Sequence, residues 1–325
     1  MSGWWFGKRK EVGATWTLFF CADIHGSEVC FKKFINAAKF YSADILVMGG
    51  DITGKTIVPL VEGVGGTYTA ELMGKVIALR SQEDIAQFEC KVSNVGNYPY
   101  KVTQDEMRMF VDSPERAQTV LRRLQIERLE RWIEFADERL GKGGVPCFMI
   151  PGNWDDPVID PILASAKCIR NADGLKIALP DGYEMINVGG SNTTPWHTPR
   201  EYAEEVLAHE IQDLVSKVKD INRCIFNIHV PPFDTYIDEA PELTEDLTVV
   251  PESTKPVGST AVRTCIEEYQ PLLSLHGHVH EGRGIFRLGR CVCLNPGSEY
   301  TEGILRGVLI RVSRSKVESF QFTAG

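Results

Sequence analysis

No stretch of this 325-residue chain is apolar for long enough to cross a membrane as a helix. A secretory leader is not expected either. Ser2-Gly3-Trp4-Trp5-Phe6-Gly7-Lys8-Arg9-Lys10 places its apolar residues before its charges, with no apolar segment after them. The Trp4-Trp5-Phe6 cluster is therefore expected to pack against the body or a neighbouring subunit. Basic charge is scarce: 35 Lys and Arg stand against 44 Asp and Glu, a net charge of −9. That balance gives no support to a nucleic-acid backbone partner. Cysteine pairs at metal-knuckle spacing are missing, for the nine cysteines are scattered and odd in number. Cys21, Cys147, Cys224 and Cys293 fall inside apolar runs, so they are expected as buried, reduced thiols of a cytoplasmic protein. What is present is an ordinary globular mixture, 43% hydrophobic and 24% charged, enough for one large domain.

The apolar pattern predicts a strand over 16–22, a helix over 28–41 and a second strand over 44–48, a βαβ unit with parallel strands. The rhythm then breaks. Residues 55–79 suggest a hairpin around Gly63–Gly66, and 82–100 is ambiguous. Dense Arg/Glu spacing makes 105–140 helical, split at Pro114. Strands resume at 145–150, at 175–179 with 183–188, and at 223–228. Helices are expected over 200–218 and from Ser259, as N-cap, to about 269. A strand ending at Leu275 and hairpins at 284–294 and 305–322 follow. The acidic, proline-bearing stretch 234–256 reads as a flexible surface lid. The second half looks more antiparallel than the first.

The predicted fold class is α/β (α+β), a four-layer sandwich of two mixed β-sheets flanked by helices. The expectation is a single domain over 1–325, with an inserted lobe at about 54–104 and a long helical segment 105–141 after it.

The chemistry centres on Leu275-His276-Gly277-His278-Val279-His280-Glu281, where a buried strand ends in a glycine between imidazoles. Alone, His-x-His is a weak signal. Its weight comes from Asp23-Ile24-His25, Gly49-Gly50-Asp51, Gly152-Asn153 and His229, each just past the carboxyl end of a predicted strand, where open α/β sheets place their sites. Buried carboxylates and imidazoles in such number are costly unless something compensates them. A pair of divalent cations would do so, and with Asp23 and Asp51 as the anionic ligands would leave a net positive site suited to a phosphate anion. Mixed nitrogen and oxygen ligation points to Mn, Fe or Zn.

In this order, Asp-x-His, Gly-Asp, Gly-Asn-x-Asp, an isolated His and Gly-His-x-His resemble the calcineurin-like metallophosphoesterase superfamily. His229-Val230-Pro231-Pro232 and Asn295-Pro296-Gly297-Ser298 are similar to its small bacterial and archaeal branch, including Icc-type phosphodiesterase relatives. The resemblance covers about 15–51 and 145–312. It implies one metal on Asp23, His25 and His280, a second on Asn153, His229 and His278, and Asp51 as a bridge. It also implies a phosphoric ester hydrolase in which a metal-bridging hydroxide attacks phosphorus, with the metals about 3.5–4 Å apart.

The chain departs from the family at Trp154, where the usual motif has a histidine that protonates the leaving oxygen. An indole N–H donates a hydrogen bond but delivers no proton, and general-acid help is worth roughly 10²–10⁴ in rate. Asp155, which orients that histidine, is left without its usual partner. Either the substrate has a good leaving group or His197 is recruited from the loop 189–199; the plain alternative for His197 is a surface histidine beside Trp196. Asn192 reads equally as a phosphate contact and as a loop-closing amide. His276 reads as a core or ligand-orienting residue, His209 as solvated, and Arg263 as a surface salt bridge or an anion contact.

Three functions compete. The first is a dinuclear metal-dependent phosphoesterase acting on a small-molecule phosphoester, nucleotides included, with diesters favoured over monoesters. The second is a non-catalytic metal-binding interaction module, since some relatives serve as scaffolds, as in the retromer complex. The third, a nuclease, is disfavoured by the acidic balance. A homo-oligomer is open.

Overall fold

The computed structural model describes residues 15–314 and 316–325, so Trp4-Trp5-Phe6 lies outside the described residues. The first strand is β1 (Trp16–Cys21), buried along nearly its whole length because helices cover one face and a second sheet the other. Ser27 then starts α1 (Glu28–Phe40): its hydroxyl accepts from Cys30 N, and Glu28 and Lys39 sit at the ends the helix dipole favours. β2 (Ile45–Met48) returns parallel to β1, with Leu18 opposite Ile45.

Between β2 and the long helix the chain builds a lobe. It contains β3 (Ile57–Glu62), β4 (Tyr68–Leu72), β5 (Lys75–Leu79), α2 (Gln82–Asn94) and β6 (Tyr98–Val102). The strands pair in the order β5-β4-β3-β6. Leu60, Leu72, Phe88 and Val92 form the lobe's own core. The hairpin expected at 55–79 is three strands, and the ambiguous 82–100 is α2 with β6. Next come α3 (Gln104–Asp112) and α4 (Pro114–Leu140), divided where Pro114 takes the first turn of α4 and its missing N–H costs nothing.

β7 (Cys147–Met149), α5 (Asp160–Ser165) and β8 (Ile169–Asn171) follow; the last two are too short to show a period in the sequence. The second half holds β9 (Lys176–Ala178), β10 (Glu184–Val188), α6 (Glu204–Val215), β11 (Cys224–Ile228), β12 (Glu239–Leu243) and β13 (Val249–Pro256). It continues with α7 (Thr260–Tyr269), β14 (Leu273–Leu275), β15 (Gly284–Leu288), β16 (Cys291–Asn295), β17 (Arg306–Val312) and β18 (Val317–Ala324).

Two six-stranded sheets result, β18-β17-β1-β2-β7-β8 and β15-β16-β14-β11-β10-β9. Their inner faces meet through Leu18, Phe20, Val47, Ile225, Leu275 and Leu294. Each such buried side chain contributes roughly 1.5–3 kcal/mol. α1 and α4 cover the outer face of the first sheet, and α6 and α7 that of the second. This is the four-layer sandwich expected.

The hairpins expected in the second half form, as β9-β10, β15-β16 and β17-β18, while the middle of the second sheet, β10-β11-β14-β16, is parallel. The crossovers through α6 and α7 make it so. The acidic stretch read as a lid contains a two-stranded ribbon, β12 with β13. Glu239, Glu242 and Glu252 lie on these strands, and Glu245 and Asp246 lie in the turn between them. Seven of the nine cysteines are buried, Cys168 is half-buried, Cys90 is exposed, and all nine are free thiols. Among the described residues no helix is long and apolar enough to cross a membrane.

Candidate metal centre

β1, β2 and β7 of one sheet and β11 and β14 of the other all end at the same edge of the sandwich. The loops that leave them carry the seven candidate ligands. Asp23, His25, Asp51, Asn153 and His229 are buried, and His278 and His280 are half-buried. Backbone bonds lace the loops together: Asp23 N donates to Gly50 O at 2.9 Å, His25 N to Asp51 O at 2.9 Å, and Gly277 N to His229 O at 2.9 Å. Asp23, His25, Asp51 and His278 all have left-handed backbone, φ 56°, 40°, 51° and 67°. Such conformations in non-glycine residues cost about 1–3 kcal/mol each and gather at functional sites. Two neighbouring glycines make room. A Cβ on Gly50 would lie 2.2 Å from His229 Nδ1, and one on Gly277 would lie 2.2 Å from Asp23 Oδ2.

The ligand atoms fall into two sets. In the first, His25 Nε2 faces His280 Nε2 at 3.0 Å. His280 Nε2 is 3.7 Å from Asp23 Oδ1, and His25 Nε2 is 3.3 Å from Asp51 Oδ2. In the second, Asn153 Oδ1 faces His229 Nε2 at 3.2 Å and His278 Nδ1 at 2.9 Å. The other oxygen of Asp51 is 3.6 Å from His229 Nε2. Asp51 thus presents one oxygen to each set. The ligand atoms of Asp23, His25 and His280 lie within 4.8 Å of one another, as do those of Asp23, Asp51 and His229.

The donor chemistry fits divalent cations. His229 Nδ1–H donates to Gly49 O at 2.7 Å, which leaves Nε2 as the nitrogen that would face a cation. Asn153 Nδ2 donates to Thr198 Oγ1 at 2.9 Å, which turns its acceptor oxygen inward. His278 N donates to both carboxylate oxygens of Asp23 at 3.0 Å, and Ser298 Oγ donates to Asp23 O at 2.6 Å. Asp23, Asn153 and His229 are thus each aimed by a second group.

The charges are strongly coupled. Burial disfavours a charged His229, but the Asp51 carboxylate outweighs it and raises the imidazole to about 9. Burial also works against the Asp51 charge, yet His229 and His25 hold that carboxyl well below the usual range. Burial, with Asp51 adding to it, raises Asp23 to about 7 against the pull of His229. Burial lowers His25 and His280, and takes His278 down to about 3. Only neutral imidazoles ligate, so these three are in the form a metal needs.

The remaining candidates separate. The Trp154 N–H donates to Asp51 Oδ1 at 3.0 Å, so its backbone belongs to the centre. Its ring lies 6.4 Å from that of Trp196. Asn192 donates to Gly258 O at 3.2 Å, which closes a loop. His197 is exposed, and among the described residues its imidazole makes no hydrogen bond or ring contact. His276 donates from Nδ1 to Ile228 O at 2.9 Å and Val230 O at 3.0 Å, holding the turn that carries His229. His209 is exposed. Arg263 pairs with Glu267 at 2.9 Å.

Asp155 does not lack partners. Its carboxylate accepts from Ile52 N, Thr53 N, Thr53 Oγ1 and Gly152 N at 2.7–2.9 Å. It ties the Asp51 loop to the Asn153 loop whatever stands at position 154.

Three nearby residues carry no sequence motif of their own. The Tyr300 ring lies 4.8 Å from His25 and 5.8 Å from His280. Thr198 orients Asn153. Lys55 Nζ lies 3.9 Å over the Trp154 ring, and its position four residues after Asp51 is the one signal that could have marked it.

The lobe also reaches this edge. Ser27 Oγ donates to Asn94 O at 2.5 Å, and Gly54 N to the Tyr98 hydroxyl at 3.2 Å. The buried Arg128 guanidinium donates to Gly26 O at 2.7 Å and Asn97 O at 2.8 Å, and stacks on Tyr98 at 3.9 Å. The turn between α2 and β6 is thus fastened to both the Asp23 and the Asp51 loops.

No protein-family model matches the chain. It is 30% identical over 173 residues to the uncharacterized protein MJ1162 of Methanocaldococcus jannaschii, covering 53% of this chain and 70% of that protein. The chain belongs to the MJ1162 family. Its fold is that of the calcineurin-like metallophosphoesterases. TT1561 of Thermus thermophilus superposes with a TM-score of 0.51 at 14% identity, over 96% of this chain and 99% of that one. A second crystal structure gives 0.56 at 16% identity, over 95% and 99%. These two establish the fold of this MJ1162 relative and nothing about its substrate.

Proposed function

We propose that this protein is a dinuclear metal-dependent phosphoesterase. The supporting observation is the convergence of two carboxylates, four imidazoles and one amide oxygen on a single edge, with Asp51 offering one oxygen to each of two ligand sets. Asp23, His25 and His280 would hold one cation, Asn153, His229 and His278 the other, and Asp51 both. The donor set suits Mn, Fe or Zn. Bound there, the pair of cations supplies an activated water and neutralises charge on the phosphoryl oxygens. The chain's own residues do the rest. Asp51, held ionised by His229 and His25, fixes the spacing of the sets. Thr198 and Gly49 set the directions of Asn153 and His229. Trp154 and Trp196 wall the approach, and His197 stands on the same loop as Trp196.

The partner proposed is a small-molecule phosphoester, a diester before a monoester, handled by a cytoplasmic protein whose 1–325 chain forms one domain with the lobe as an insertion. Metal-stripped protein given Mn²⁺ and bis-p-nitrophenyl phosphate should release nitrophenolate, and Asp51→Asn should remove that activity together with about half or more of the bound metal. Tight metal binding with no turnover on diester or monoester would favour the second reading, a metal-binding interaction module. Trp154 in place of the family's histidine is what speaks for that alternative.

A further inference from the structure

Lys55 stands where the phosphoesterase reading has a gap, and the role assigned to it here rests on that reading. Its ammonium lies 3.9 Å from the centre of the Trp154 ring, a cation held on an indole face. The same residue, Trp154, donates its backbone N–H to Asp51, so the backbone that bears this indole is anchored to the centre. Among the described residues the ammonium has no hydrogen-bond acceptor and no salt-bridge partner, although Lys55 follows Asp51 by four residues. It is within electrostatic reach of the ligands. Crowding by surrounding protein lowers its pKa from the ordinary lysine value, while Asp51 and Asp23 pull it back up. Its charge in turn disfavours protonation of His25 and His280. The aromatic wall continues to Trp196, half exposed, at 6.4 Å.

We propose that Lys55, held on the face of Trp154, is the cation that meets the departing oxygen of the phosphoester. The water oxygen bonds to phosphorus, and the bond from phosphorus to the leaving oxygen breaks with its electron pair on that oxygen. Nζ–H donates a hydrogen bond to the oxyanion and keeps its proton. The proton released by the attacking water goes to solvent, from which the alkoxide or phenoxide regains one. Lys55 contacts substrate, and Trp154 is a positioning residue for it. A cation stabilises the leaving oxygen without the proton transfer that an imidazole would supply. The consequence is a preference for esters of acidic alcohols or phenols.

The test is a leaving-group series, p-nitrophenyl to phenyl, on manganese-loaded wild type, Lys55→Met, Lys55→Arg, Trp154→Ala and Trp154→Phe, with manganese per chain measured on each. Lys55→Met should lower kcat on phenyl esters by roughly 10²-fold and on p-nitrophenyl esters much less. Lys55→Arg and Trp154→Phe should restore most of the phenyl rate, while Trp154→Ala should resemble Lys55→Met. Manganese content should not change. If Lys55→Met loses metal, Lys55→Arg against Trp154→Ala carries the comparison. An equal loss across the series, or none, overturns the assignment to Lys55 and leaves the phosphoesterase reading standing. A wild type that hydrolyses no ester in the series overturns both.

Discussion

The Thr198 hydroxyl takes the amide hydrogen of Asn153 at 2.9 Å and gives its own proton to Glu201 at 2.7 Å. That relay decides which end of the Asn153 amide faces His229 and His278. Thr198→Val should leave the amide free to turn and weaken manganese binding by about 10–100-fold, as loss of a ligand-orienting partner does. Thr198→Ser should retain affinity. Calorimetric titration of the metal-stripped protein measures both.

Gly50 combines φ +118° with a Cβ position 2.2 Å from His229 Nδ1. Gly50→Ala should therefore cost about 3 kcal/mol or more, from backbone strain and overpacking together. Gly65 has φ +71° and nothing within 4 Å, so Gly65→Ala should cost only the strain, roughly 1 kcal/mol. Urea denaturation of the two variants separates the effects.

Arg128 is a buried cation whose hydrogen bonds go to carbonyls and a serine hydroxyl. Arg128→Met would leave Gly26 O and Asn97 O without donors, at about 1–3 kcal/mol each. The expected result is a lower denaturation midpoint and weaker manganese binding, because Gly26 closes the Asp23-Ile24-His25 loop. Unchanged metal affinity in a destabilised variant would show that the loop holds its shape alone.

Burial, with Asp173 and Asp213 adding to it, raises the Glu210 carboxyl to about 7. The folded chain then holds this proton more tightly than the unfolded chain, whose glutamate titrates near the ordinary value. Stability contributed by the protonated group is present below the unfolded pKa and falls as pH rises towards 7. Glu210→Gln should accordingly raise the melting temperature at pH 8 and leave it unchanged at pH 4. The gain should be on the order of 1 kcal/mol, after allowance for solvent screening of this half-buried group.

Much of the sandwich is legible in the sequence because its strands are short apolar runs ending in motifs that glycine punctuates. Asp23, Asp51, Asn153, His229 and His278 each follow such a run, and the pattern alone brings them to strand ends. What escapes the sequence is whatever depends on neighbours distant along the chain. β8 is three residues long and is defined by pairing with β7. The parallel middle of the second sheet follows from how α6 and α7 pack, which hairpin-like spacing conceals. Asp155 shows the same limit: its four donors come from two loops, and a motif read along the chain sees one absent neighbour. Lys55 is hidden for a similar reason, since its meaning comes from the indole it rests on.

The turn between α2 and β6 has one more consequence. Asn94, Asn97 and Tyr98 bond to Ser27, Arg128 and Gly54, so part of the inner wall beside both carboxylates is supplied by the lobe. A shortened chain without residues 56–102 would strand Arg128 beside solvent and unclasp two loops at once. The lobe works as a keystone rather than an ornament, and any homologue that dispenses with it must brace its Asp-x-His and Gly-Asp loops by other means.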